Sequence, residues 1–83
     1  MTEHKNKISL AEMEDGQFGI IDSLTGGKNL VKRLADLGIT KGAGITVLRR
    51  TLFSGPVQVE VCGSRFVLGH GMALKIMVVP HER

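Results

Sequence analysis

Eighty-three residues, with 42% hydrophobic and 23% charged side chains, are enough for one small domain and leave little material for a deep substrate pocket. The longest uninterrupted apolar run, Ile76 to Val79, is far short of the roughly 20 residues that cross a bilayer, and the single cysteine, Cys62, excludes an internal disulfide or a Cys-Cys zinc clamp. Eleven Lys+Arg against eight Asp+Glu give a net charge of +3, a mild bias rather than the dense basic field of a dedicated nucleic-acid binder.

Met1 to Lys7 is polar and charged, lacks the apolar centre of a signal peptide and reads as a disordered leader, which points to a cytoplasmic, non-inserted protein. The domain is expected over residues 8–80, with 81–83 as a tail. Ser9-Leu10-Ala11-Glu12 has the spacing of a capping box and predicts one helical turn before the Asp15-Gly16 turn. Phe18 to Leu24 reads as a strand centred on Ile20 and Ile21, with Gly19 allowing a close backbone approach or a bulge.

Gly26-Gly27 breaks that strand. From Lys28 to Leu37 the spacing predicts the one long helix, with Leu30, Val31, Leu34 and Leu37 on one face and Lys32, Arg33 and Asp36 on the other. Gly38 stands where a left-handed residue ends a helix, and Ile39 follows at the position that packs back on Leu34 in a Schellman motif. Lys28 opposes the helix dipole, so dipole compensation does not account for it.

Ile45 and Val47 mark a second strand ending at Arg49-Arg50, and Ser54-Gly55-Pro56 a turn. Val57, Val59 and Val61 alternate strictly with Gln58, Glu60 and Cys62, the pattern of a strand with one buried and one wet face. Gly63-Ser64 suits a two-residue hairpin turn that sets Val61 opposite Phe66. Gly69-His70-Gly71 ends the next strand, Met72 to Lys75 allows a short helical turn, and Ile76 to Val79 forms the last strand before Pro80. Five short strands with tight turns favour a mainly β fold, a small and partly open SH3-like or OB-type barrel with one inserted helix.

Three spaced elements carry a family resemblance: Leu34-Ala35-Asp36-Leu37-Gly38-Ile39-Thr40-Lys41-Gly42; then Gly55-Pro56-Val57 with Val59, Val61 and Gly63; then Leu68 with Ala73, Ile76 and Val78. In these the chain resembles the FeoA family of bacterial ferrous iron transport over about residues 8 to 79. The resemblance implies an SH3-like barrel in its stand-alone form, acting in the cytoplasm and peripherally at the inner membrane beside the transporter FeoB. The family frequently has Arg after the Leu of the fourth strand and Glu just before the Ala, where this chain has Gly69 and Met72. The shared residues are mostly glycines and core aliphatics, which identify a fold better than an activity.

Candidate chemistry is sparse. Gly26-Gly27-Lys28 at a strand-to-helix junction suggests a phosphate loop, but Asp22 stands in place of the first Walker glycine and Asn29 in place of the magnesium-binding Ser/Thr, so a plain turn is expected. No motif requires a cofactor. Fe2+ or another divalent transition metal could be held by His70 or Cys62, whereas His4 and His81 lie in the chain ends; two chains sharing ligands in a homodimer would enlarge the set. Cys62 and the serines lack a positioned base, so no enzyme is expected. Three Phe with no Tyr or Trp, at least one of them needed in the core, argue against oligonucleotide and proline-peptide grooves. What remains is a surface for a protein partner, with Lys28, Lys32, Arg33, Arg49 and Arg50 as its candidates and FeoB as the partner the resemblance implies. A metal-responsive regulatory domain is the alternative function.

Overall fold

The computed structural model describes residues 6–81. Residues 1–5, with His4 and most of the expected leader, and tail residues 82–83 lie outside the described residues. Six strands, β1 (Ile8–Ser9), β2 (Phe18–Leu24), β3 (Gly44–Arg50), β4 (Val57–Val61), β5 (Ser64–Leu68) and β6 (Ile76–Pro80), form one antiparallel open sheet in the order β1-β6-β2-β3-β4-β5. A 3-10 turn, Leu10–Glu12, follows β1; helix α1 (Lys28–Asp36) links β2 to β3, and α2 (His70–Ala73) links β5 to β6. The fold is mainly β and partly open, as expected. The sixth strand is β1, whose two residues exist as a strand only because they pair with Val78 and Met77 of β6.

Period-2 alternation builds the core. Val57, Val59 and Val61 are buried while Gln58 is exposed, and Ile45, Val47, Ile21, Ile76 and Val78 fill the same interior from the other strands. Each fully buried aliphatic side chain is worth about 1.5–3 kcal/mol relative to exposure. Leu10, Met13 and Ala73, from the 3-10 turn, the residue after it and α2, are buried in the same cluster.

The sheet bends where glycine permits. A Cβ on Gly19 would lie 2.4 Å from Val78 Cγ1 and 2.8 Å from the Val79 carbonyl oxygen, so β2 and β6 approach too closely for any side chain there. One bulge falls between Ile21 and Ser23 against β6, another between Val47 and Arg49 against β4, and such bulges increase local twist and bend a strand.

The helix stop forms as expected. Gly38 has φ +88, the N–H of Ile39 donates to the Leu34 carbonyl at 2.9 Å, and that of Gly38 donates to the Ala35 carbonyl at 2.9 Å, the two bonds of a Schellman motif. Leu37, expected on the inner face, is exposed, because the chain leaves the helix at that residue and Leu34 is the one buried side chain of α1.

Other local expectations shift. The β4–β5 turn is Cys62-Gly63, both with positive φ as in a type I′ turn, so Val61 faces Ser64 and Val59 faces Phe66. The slip is two residues, which leaves every side chain on its expected face. Helix α2 begins at His70, two residues before the expected Met72, with Gly69 as its N-cap. The capping box is half made: the N–H of Ser9 donates to Glu12 Oε1 at 3.2 Å, while Ser9 Oγ is buried with no partner among the described residues.

Candidate functional site

Gly27 caps α1 with extended backbone and no side-chain bond, and the N–H of Val31 donates to its carbonyl at 3.1 Å, so Gly26-Gly27-Lys28 is a helix start. Leu34 anchors the helix, with Leu30 packed beside the core. This leaves Lys28, Lys32 and Arg33 exposed. Among the described residues the one ion pair is Lys7 Nζ to Asp22 Oδ2 at 3.2 Å, so none of the helix cations is neutralised within the described chain. The hydrogen bond from Lys7, supported by the charge of the same ammonium, holds the Asp22 carboxyl below the usual carboxylate range.

The two arginines ending β3 differ. The backbone N–H of Arg50 donates to Asp15 Oδ1 at 2.7 Å, and its Nη1 donates to the Ala11 carbonyl at 3.3 Å, which ties the end of β3 to the 3-10 turn and to the Asp15-Gly16 turn that follows it. Arg50 is therefore partly structural. Arg49 lies opposite Gln58 on β4, is exposed and makes no such bond.

His70 and Cys62 are not brought into one site. His70, half-buried at the start of α2, lines a cavity of about 150 Å³ with Ala11, Arg50, Thr51, Leu52, Phe53 and Ser54. Cys62 is exposed at the β4–β5 turn, where its Sγ lies 3.4 Å from the position a Cβ would take on Gly38, beside the end of α1. Among the described residues there is no group of three or more His, Cys, Asp and Glu placed to hold a metal ion. His81 is fastened at the edge of β2: its N–H donates to the Phe18 carbonyl at 2.8 Å and its ring meets that of Phe18 edge-on at 5.9 Å.

A groove of about 350 Å³ runs between α1 and the β5–α2 segment, lined by Leu30, Arg33, Leu37, Leu68 and Met72 among others. Met72 thus contributes apolar lining where the family often has a charge. At Gly69 a Cβ would meet nothing within 4 Å, so glycine is not sterically required there. Sequence reasoning missed the β3–β4 connection, where Leu52 is 70% and Phe53 97% exposed. Two large apolar residues among turn formers, directly after Arg49-Arg50, were the available signal. Of the three Phe, none is fully buried; Phe66 comes nearest, packed against the core from β5.

A small bent antiparallel sheet with an inserted helix that presents exposed cations has the architecture of an SH3-like module. The family model of the FeoA domain matches residues 8–80, and the chain belongs to that family. It is 35% identical over 73 residues to a Methanocaldococcus jannaschii protein named "Putative Fe(2+) transport protein A", covering 88% of this chain and 87% of that one. Among solved structures, an iron uptake regulatory protein (FeoA) crystal structure superposes with a TM-score of 0.85 at 37% identity, covering 92% of this chain and 100% of that one. The zinc-complexed FeoA of Stenotrophomonas maltophilia, described as a prokaryotic SH3 domain protein, shares the fold with a TM-score of 0.76 at 22% identity, covering 92% and 98%.

Proposed function

We propose that the chain is a non-enzymatic accessory protein of ferrous iron transport that works in the cytoplasm by docking on the cytoplasmic part of FeoB through the outer face of α1. One observation carries this reading: Lys28, Lys32 and Arg33 stand exposed and unpaired among the described residues on a helix that buries a single side chain. Three cations against the one exposed carboxylate of α1, Asp36, leave the helix with a net positive charge, which raises the encounter rate with an acidic surface. Arg49 adds a fourth exposed cation from β3. The metal-responsive alternative has less support, since His70 and Cys62 line different parts of the molecule.

A pull-down on immobilised FeoB cytoplasmic region tests the proposal. Wild type is expected to be retained at low salt and Lys32→Glu/Arg33→Glu to be lost, with Arg49→Glu intermediate. Equal retention of all three, or of none in any nucleotide state of the FeoB G domain, would rule out the α1 surface. Arg50 is unsuitable for the test because its substitution would also remove the guanidinium bond to the Ala11 carbonyl and so disturb the fold.

A further inference from the structure

We infer that the β3–β4 tip is a membrane-contact device that seats on an anionic phospholipid surface, with Leu52 and Phe53 entering the acyl boundary and the cavity beneath them receiving a headgroup phosphate. Three observations converge. Phe53 is almost wholly exposed and Leu52 largely so, although both are large and apolar. Phe53 and Ser54 hold φ of +59 and +64, a conformation that costs a non-glycine residue energy and that no packing of the Phe53 ring repays. The third is the chemistry just below the tip, where the cavity of about 150 Å³ is lined by Arg50, Thr51, Ser54 and His70, with Leu52 and Phe53 on the same lining.

The loop is closed and short. Thr51 N–H donates to the Pro56 carbonyl at 3.2 Å, and a Cβ on Gly55 would lie 2.5 Å from Thr51 Cγ2, so the two limbs meet below the apolar tip. The Ala11 carbonyl takes one guanidinium donor of Arg50, at Nη1, and a guanidinium has four more. The carboxylate near this arginine, Asp15, accepts from its backbone N–H and is not part of the cavity lining.

A convex apolar tip on a cationic base fits a fluid apolar phase behind anionic headgroups, whereas a protein partner would need a pocket cut to receive it. Arg49 and Arg50 supply the attraction, and Leu52 and Phe53 the insertion. No helix among the described residues is long and apolar enough to cross a membrane, so the contact is one of lying on the surface. Two side chains and two cations give weak, reversible binding, suited to a protein that samples the membrane face.

Co-sedimentation of the full chain with phosphatidylglycerol vesicles and with phosphatidylcholine vesicles tests this in the absence of FeoB, so its outcome is independent of the docking proposal. Wild type is expected to sediment with the anionic vesicles, to be released by added salt, and to stay in solution with the zwitterionic ones. Leu52→Ser/Phe53→Ser is expected to lower partitioning at least ~10-fold, since each apolar side chain removed from water is worth about that factor. Its circular dichroism spectrum and melting temperature are expected to match wild type, because neither residue belongs to the core. No sedimentation, equal sedimentation with both vesicle types, or unchanged binding by the double variant would each overturn the inference. If vesicles bind nothing while the variant loses retention on detergent-solubilised FeoB, the tip is a protein contact instead. If vesicles bind nothing while glycerol phosphate shifts the His70 ring resonances, the cavity is a soluble-phosphate site and the membrane assignment fails.

Discussion

Gly19→Ala puts one methyl group into the seam between β2 and β6. The backbone of Gly19 does not need a left-handed conformation, so the whole cost is space: 2.4 Å to Val78 Cγ1, 2.8 Å to the Val79 carbonyl oxygen and 3.1 Å to Pro80 Cα. Val78 is fully buried and β-branched, hence restricted at χ1, and Val79 is paired to Ile20 in the ladder. Overpacking of this kind costs about 1–3 kcal/mol, and backbone on two of the three sides puts Gly19→Ala toward the upper end. Val78→Ala alone should cost about 2 kcal/mol through lost burial and a residual cavity. In the double variant the new methyl occupies space vacated by the valine, so the combined loss should fall short of the sum by about 1 kcal/mol. Relief stays incomplete because the Val79 carbonyl does not move. Urea denaturation of the two single variants and the double variant measures the coupling. Additivity within about 0.5 kcal/mol, or a Gly19→Ala protein as stable as wild type, would refute the close-packed seam.

Cys62→Asn should stabilise the hairpin by a few tenths of a kcal/mol or more, since Asn accepts the positive φ of +52 that Cys tolerates poorly and Asn-Gly favours a type I′ turn; a lower urea midpoint would contradict it. Gly38→Ala should cost about 1–2 kcal/mol from the left-handed conformation rather than from contact, as a Cβ there meets nothing closer than 3.4 Å, and Gly38→Asn should cost less. Removing the Lys7 ammonium with Lys7→Gln should raise the Asp22 pKa toward its ordinary value in an NMR titration. The folded-state pKa of Asp22 is depressed, so this pair's small contribution is present above the unfolded-state pKa and fades as pH falls through the folded one. An Asp22 titration unmoved by Lys7→Gln would refute the pairing.

Strong local patterns were legible in the residues. The Val57-Val59-Val61 alternation and the Leu34 to Ile39 helix stop each carry several mutually consistent constraints, and both formed as read. Where two neighbouring residue pairs could serve the same turn, as Cys62-Gly63 and Gly63-Ser64 could, local chemistry did not choose between them; the register did, and the slip by an even number preserved the core. β1 could not be read because a two-residue strand has no periodicity and owes its existence to β6. The same limit applies to the surface. The exposure of Lys32 and Arg33 follows from helix period, but the engagement of Arg50 with Ala11 and Asp15 depends on partners 39 and 35 residues away in sequence, which no local pattern reports. Counting aromatics showed that stacking platforms were scarce, yet it did not show that Phe53 stands at a loop tip in solvent.

Calorimetric titration of the FeoB cytoplasmic region with wild type and with Lys32→Glu/Arg33→Glu, each at low and at raised salt, addresses the docking proposal most directly. Saturable binding that weakens with salt and falls at least ~10-fold on charge reversal is expected, a loss of about 1.4 kcal/mol or more. Absence of binding by a folded wild-type protein, or equal affinity of the two proteins, would contradict docking through α1.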